Sequence, residues 1–182
     1  MNKFDAMFTE INERMEKMLK QLKLPGKYTL QNLKFLEKNL IPVVNTELFN
    51  DAARACVGYF LGETIIRNFK GAKWNKNCSK IEEISIDIPH LHDKRSKIRV
   101  HPFMTAYKFS IDSTKGLVSL FELIKVVRTL KPSGRNEQHS ILIGNNQGAI
   151  ISTSLENDEL ITKNNTEEHF YVETIQNIIG KK

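Results

Sequence analysis

The stretch from Asn50 to Trp74, NDAARACVGYFLGETIIRNFKGAKW, constrains the fold more than any other part of the chain. Between Asp51 and Glu63 its one charge is Arg54, and small or apolar residues occupy every other position. A helix that is apolar all round is a buried helix, so the sequence predicts a central helix enclosed by its neighbours. Gly58 and Gly62 lie four apart and share a face with Ala55. A mid-helix Gly costs about 1 kcal/mol relative to Ala, so two on one stripe are expected where another helix or a sheet comes close. Gly71 is the expected terminator, with Lys70 near the negative end of the helix dipole.

Glu63 is an acid on an otherwise apolar face, continuous with Cys56, Phe60 and Arg67 at three- and four-residue steps. Its spacing to Arg67 is that of an i,i+4 ion pair in the favourable order. The competing expectation is a buried carboxylate of raised pKa, usable for proton transfer or for holding a ligand. Trp74 is expected to be a packing anchor, with a binding platform as the alternative.

Before the central helix, Phe4, Met7, Phe8, Ile11, Met15, Met18, Leu19 and Leu22 recur at helical spacing over residues 3 to 23. They predict an amphipathic helix packed on the rest of the chain or, through its Met content, docked on a partner. Leu24-Pro25-Gly26 stops it, and Thr29 is placed to cap a second helix through Leu30, Leu33, Leu36 and Leu40. Either Thr46 or Asn50 then caps the central helix. After Trp74, alternation of Ile84, Ile86 and Ile88 predicts a half-buried strand closed by Pro89. A second strand is expected from Ile98 and Val100, broken at Pro102 and resumed through Tyr107, Phe109 and Ile111. Ser113 or Thr114 should cap a helix with Leu117, Leu120, Phe121, Ile124 and Val127 inward. Two apolar runs around GNNQG predict a hairpin, residues 152 to 165 read as irregular, and Thr166 should cap a last helix with Tyr171, Ile175 and Ile178 inward and Gly180 as its end. The expected fold class is α+β. N-terminal helices (1–45) surround a core of buried helix, small mainly antiparallel sheet and covering helix (46–130), followed by a C-terminal hairpin and helix (137–182), all in one domain.

The net charge of +6 is unevenly spread: residues 64 to 132 carry +8 and residues 137 to 180 carry −6. Such a skew gives a basic face for an acidic partner, or two parts that dock on each other. The candidate basic patch is Lys70, Lys73, Lys76, Lys94, Arg95, Lys97 and Arg99. Around Trp74 it would suit a nucleic-acid backbone, although no signature of a nucleic-acid-binding module accompanies it. His90 and His92 have the spacing of metal ligands, and His101 would join them if the two strands formed a suitable hairpin. A polar turn accounts for the same segment without a metal. Cys56 and Cys78 lack a CxxC partner and fit a reducing compartment. No run approaches the roughly 18 apolar residues of a membrane span, and the charged start is unlike a secretory signal. The expected location is the cytoplasm, without a membrane and without a cofactor.

The pattern Gly58-x-x-x-Gly62-Glu63, then Gly71-x-x-Trp74, a strand pair and Pro102-Phe103 resembles small uncharacterised bacterial domains of unknown function over residues 46 to 130. The resemblance implies an α+β fold and a bacterial source, and it brings no catalytic residues. The function expected from the chain is non-catalytic: a macromolecule-binding accessory or immunity-type protein with a protein partner. The alternatives are nucleic-acid binding through segment 67–99, and a hydrolase using Glu63 or a His90/His92/His101 metal site.

Overall fold

The computed structural model describes residues 4–21, 23–24, 28–92, 96–113, 116–129, 138–143, 147–156, 159–166 and 170–177, the last four segments as backbone. The central helix forms where the sequence places it, as α3 (Asp51–Asn68), the third helix of the chain. Asn50 caps it by accepting the Ala53 N–H at 3.1 Å. Val57 to Gly62 are buried without interruption, followed by Thr64 and Ile65. An unbroken buried run of that length closes the helix in on all its faces.

Two helices precede it. α1 (Asp5–Gln21) buries Phe8, Ile11, Met15 and Leu19, so its methionine-bearing stripe packs on the chain itself. α2 (Leu30–Leu40) is capped by Thr29, whose hydroxyl accepts the Asn32 N–H, and buries Leu33 and Leu36. After α3 come β1 (Lys73–Asn75), a 3-10 turn at Ile81–Glu83, β2 (Ser85–Pro89) and β3 (Ser96–Val100). α4 (Pro102–Ile111) and α5 (Leu117–Val127) follow, and then β4 (Gln138–Ile143), β5 (Gln147–Glu156), β6 (Glu159–Thr166) and β7 (Phe170–Asn177). The architecture is α+β. All sheet pairings are antiparallel, in the order β1-β2-β3-β7-β6-β5-β4.

Alternation along β2 and β3 turns Ile86, Ile88, Ile98 and Val100 to the helical layer, where all four are fully buried. The register Ile86↔Val100 and Ile88↔Ile98 puts them directly opposite one another. They join α3, α4 and α5 in one apolar core.

Three expectations are corrected. Tyr107, Phe109 and Ile111 belong to α4 and not to a resumed strand. Pro102 lies in the first turn of this helix, where its missing N–H costs nothing and its fixed φ suits the helix, so the residue taken as a strand break is a helix start. Phe103, Ala106 and Phe109 point inward at three-residue spacing. Downstream, the polar run expected to be irregular supplies β5 and β6, and the expected final helix is β7. Val172, Thr174 and Ile175 are β-branched and favour strands, and β7 has ladder partners on both sides in β3 and β6. Thr166 ends β6; the remaining expected features of that helix at Ile178 and Gly180 lie outside the described residues.

The third correction concerns the start of α5. Its N-cap is Gly116, with no side-chain cap of its own, and not Ser113; Thr114 lies outside the described residues. Glu37 of α2 supplies the missing acceptor: the Val118 N–H donates to Glu37 Oε2 at 2.7 Å. A Cβ on Gly116 would sit 2.9 Å from Glu37 Oε1, so the glycine makes room for the carboxylate. Burial raises the Glu37 carboxyl above its ordinary value, against the lowering effect of the Val118 and Leu117 amides. The folded state therefore holds this proton more tightly than the unfolded chain, and the contribution to stability declines as pH rises from 4.5 through the raised value. Urea unfolding of wild type and Glu37→Gln across this range is expected to show that decline in the wild type and its loss in the variant. Glu37→Ala, which also orphans the capped amides, should cost about 1 to 2 kcal/mol.

Candidate functional site

Glu63, Arg67 and Trp74 converge where α1, α2, α3 and β1 meet. The Trp74 Nε1–H donates to Glu63 Oε1 at 3.0 Å, and Arg67 Nε lies 3.5 Å from Glu63 Oε2. Both carboxylate oxygens are thus engaged within the chain. The Arg67 guanidinium also lies 4.5 Å over the Tyr28 ring. Tyr28 and Tyr59 both donate their hydroxyls to Asn12 Oδ1, at 2.8 and 3.3 Å. Burial, and then the charge of Glu63, pushes the Tyr28 phenol up to about 12, and the same two causes raise Tyr59 further. Neither phenol is poised to ionise near neutrality. The indole of Trp74 stacks on Tyr59 at 6.3 Å and meets Phe8 edge-on at 5.0 Å.

This aromatic box explains the glycine stripe. A Cβ on Gly62 would run into the six-membered ring of Trp74, and one on Gly58 would meet the Cα of Phe103 at 2.9 Å. β1 and α4 are the close neighbours that the two glycines admit. The Glu63 group is consequently a cross-link between α3 and β1, and Trp74 is an anchor.

The basic patch is partly neutralised within the sheet. Asp87 of β2 accepts from Arg99 Nε at 2.9 Å and from Lys97 Nζ at 3.1 Å. Burial acts to raise the Asp87 carboxyl, but the hydrogen bonds and charges of Arg99 and Lys97 outweigh it and hold the group below the usual range. Lys76 pairs with Asp5 at 2.9 Å and covers the Phe8 ring. Lys70 and Lys73 are exposed; Lys94 and Arg95 lie outside the described residues. The register also sets Lys73, Asp87, Arg99, Glu173 and Lys163 side by side on successive strands, in alternating charge. The skew of charge along the chain thus meets across the β3–β7 ladder.

The hairpin of β2 and β3 forms, but in a register that separates the histidines. His90 follows the Pro89↔Lys97 pair, whereas His101 follows Val100, which pairs with Ile86 at the far end. His90 is buried, and its Nδ1 accepts the His92 N–H at 3.2 Å. Among the described residues no group of three His, Cys, Asp or Glu side chains could hold a metal ion. Burial raises the Cys56 thiol, away from a reactive thiolate.

A feature that sequence reasoning missed lies on the other side of α3. The loop before α3, the first turn of α3 and the outer face of α4 enclose an open hollow of about 540 Å³, with Val44, Glu47, Arg54, Tyr107 and Ile111 on its walls. A second hollow of about 280 Å³, reaching Ile81 and Glu82, shares Arg54 and Tyr107 with the first, so the two form one trough with those residues at the saddle. The Arg54 guanidinium pairs with Asp51, lies 5.6 Å over the Tyr107 ring and reaches Ser110 Oγ at 3.5 Å. Around the trough Leu48 is 74% exposed, Ile111 63% and Tyr107 44%. The i,i+4 spacing of Tyr107 and Ile111 was visible in the sequence, but only once the segment is helical does it place both on the outer face. No helix among the described residues is long and apolar enough to cross a membrane.

No protein family, curated protein or solved structure matches the chain.

The box around Trp74 makes a prediction whose sign separates two causes. Helix propensity alone makes Gly62→Ala stabilising by about 1 kcal/mol. Overlap with the indole makes it destabilising by about 2 kcal/mol, and urea denaturation is expected to give the second sign, together with altered Trp74 fluorescence.

Proposed function

We propose that this chain is a non-catalytic binding protein, of the accessory or immunity type, that engages a protein partner through the trough between the α2–α3 loop and α4. One observation carries the reading: Leu48, Tyr107 and Ile111 are large apolar side chains turned to solvent around a hollow with a guanidinium at its saddle. Contiguous exposed apolar surface rimmed by polar groups is characteristic of interaction sites, and Tyr and Arg are favoured at the centres of such sites. The groups that suggested chemistry are, by contrast, engaged internally. Glu63 is spanned by Trp74 and Arg67, and His90 accepts from the backbone of His92. The neutralisation of Lys97 and Arg99 by Asp87 weighs in the same direction against a nucleic-acid surface on β3.

The test is capture of a partner from native extract by tagged wild type and by Tyr107→Ala/Ile111→Glu, with thermal melts confirming that both are folded. Wild type should retain a stoichiometric protein. The variant should bind it about thirtyfold more weakly, the loss of about 2 kcal/mol typical of a central contact. Absence of a stoichiometric partner, or equal retention by the variant, would refute the proposal.

A further inference from the structure

The trough carries a charge opposite in sign to the chain as a whole. Its walls bring together Glu47, Asp51 and Glu82 with a single cation, Arg54, in a protein whose net charge is +6. Arg54 is already matched by Asp51. Among the described residues, Glu47 and Glu82 have no ion-pair partner. They belong to different hollows, Glu47 to the larger and Glu82 to the smaller. Between them lies the saddle, whose exposed surface is the phenol ring of Tyr107, stiffened by the guanidinium over it. Two unmatched carboxylates flanking an aromatic floor complement cationic side chains that flank an apolar one.

We infer that the trough takes an extended basic and apolar segment of the partner protein, with Lys or Arg side chains at Glu47 and Glu82 and an aliphatic side chain against Tyr107. This inference rests on the protein-binding function above and adds the chemistry of what is bound. Charge complementarity of this kind selects the partner and speeds its arrival more than it tightens the complex. Exposed ion pairs contribute only about 0.2 to 1 kcal/mol each. The preference for a basic over an acidic segment is therefore expected to be about three- to tenfold, and to shrink as salt screens it.

The probe is the tetrapeptide acetyl-Lys-Leu-Leu-Lys-amide, with its Glu-Leu-Leu-Glu counterpart as control, titrated into the isotopically labelled full chain at low salt. The basic peptide should shift amide resonances of the loop before α3, of Glu82 and of the outer face of α4, and bind several-fold tighter than the acidic one. Glu47→Gln/Glu82→Gln, which preserves the shape of the walls, should abolish the difference. Equal binding of both peptides, shifts confined to another surface, no shift in the trough at millimolar peptide, or a preference that survives in the double variant would each overturn the inference. If wild type still captures a partner that Tyr107→Ala/Ile111→Glu loses, those results sink the charge assignment alone. Failure to capture any partner removes the binding function itself.

Discussion

The contact on which the rest of the structure depends is that of the Trp74 indole with the bare backbone of Gly62. A large aromatic can lie against the axis of a helix only where no Cβ intervenes, and Gly62 provides that opening at the level where β1 crosses α3. Gly58 does the same for Phe103 at the start of α4. These two approaches fix the distance of a sheet edge and of a helix from α3, and through them the position of the isoleucine layer on β2 and β3. They also hold α4 so that Phe103, Ala106 and Phe109 fill the core while Tyr107 and Ile111 face out.

Half-buried carboxylates fasten the remaining elements. Glu37 joins α2 to the start of α5, Glu63 joins α3 to β1, and Asp87 joins β2 to β3. In each case the acid accepts from a neighbouring element, which offsets the cost of its own desolvation. The same placement removes these groups from chemistry: a carboxylate whose oxygens hold an indole and a guanidinium is not free to move a substrate's proton. What stays open to solvent lies on the opposite side of α3, where apolar side chains from a loop and a helix surround one guanidinium.

Much of the architecture was legible because it is written in periodicity. The all-round apolarity of α3, the stripe of α1, the cap at Thr29 and the alternation of Ile84, Ile86 and Ile88 each have a direct local cause. The errors fall where local signals are degenerate. Tyr107, Phe109 and Ile111 alternate like a strand, and the Pro that opens α4 looks the same in sequence as one that breaks a ladder. Tyr171 and Ile175 are four apart as in a helix, yet the edge of β3, far away in the chain, gives the segment a ladder to join. Glu37 was invisible as a cap because the amides it receives lie some eighty residues further on. The ion pair of Glu63 with Arg67 was visible from spacing; its bond to Trp74 needed the turn at Gly71 to be built. The trough could not be read at all, since it is assembled from a loop, a helix start and a helix taken for a strand.

The order of the sheet bears on how the chain comes into being. β3 is made early, but the strand beside it, β7, is the last in the chain: Val100 waits for Val172 and Ser96 for Gln176. A polypeptide emerging from the ribosome would present β1, β2 and β3 with one ladder edge bare until that strand had left the exit tunnel. Unpaired edges of this kind attract foreign strands, and closures between distant segments are slow. Translation rate and chaperone access over the second half of the message thus become determinants of how much of the product reaches its native state.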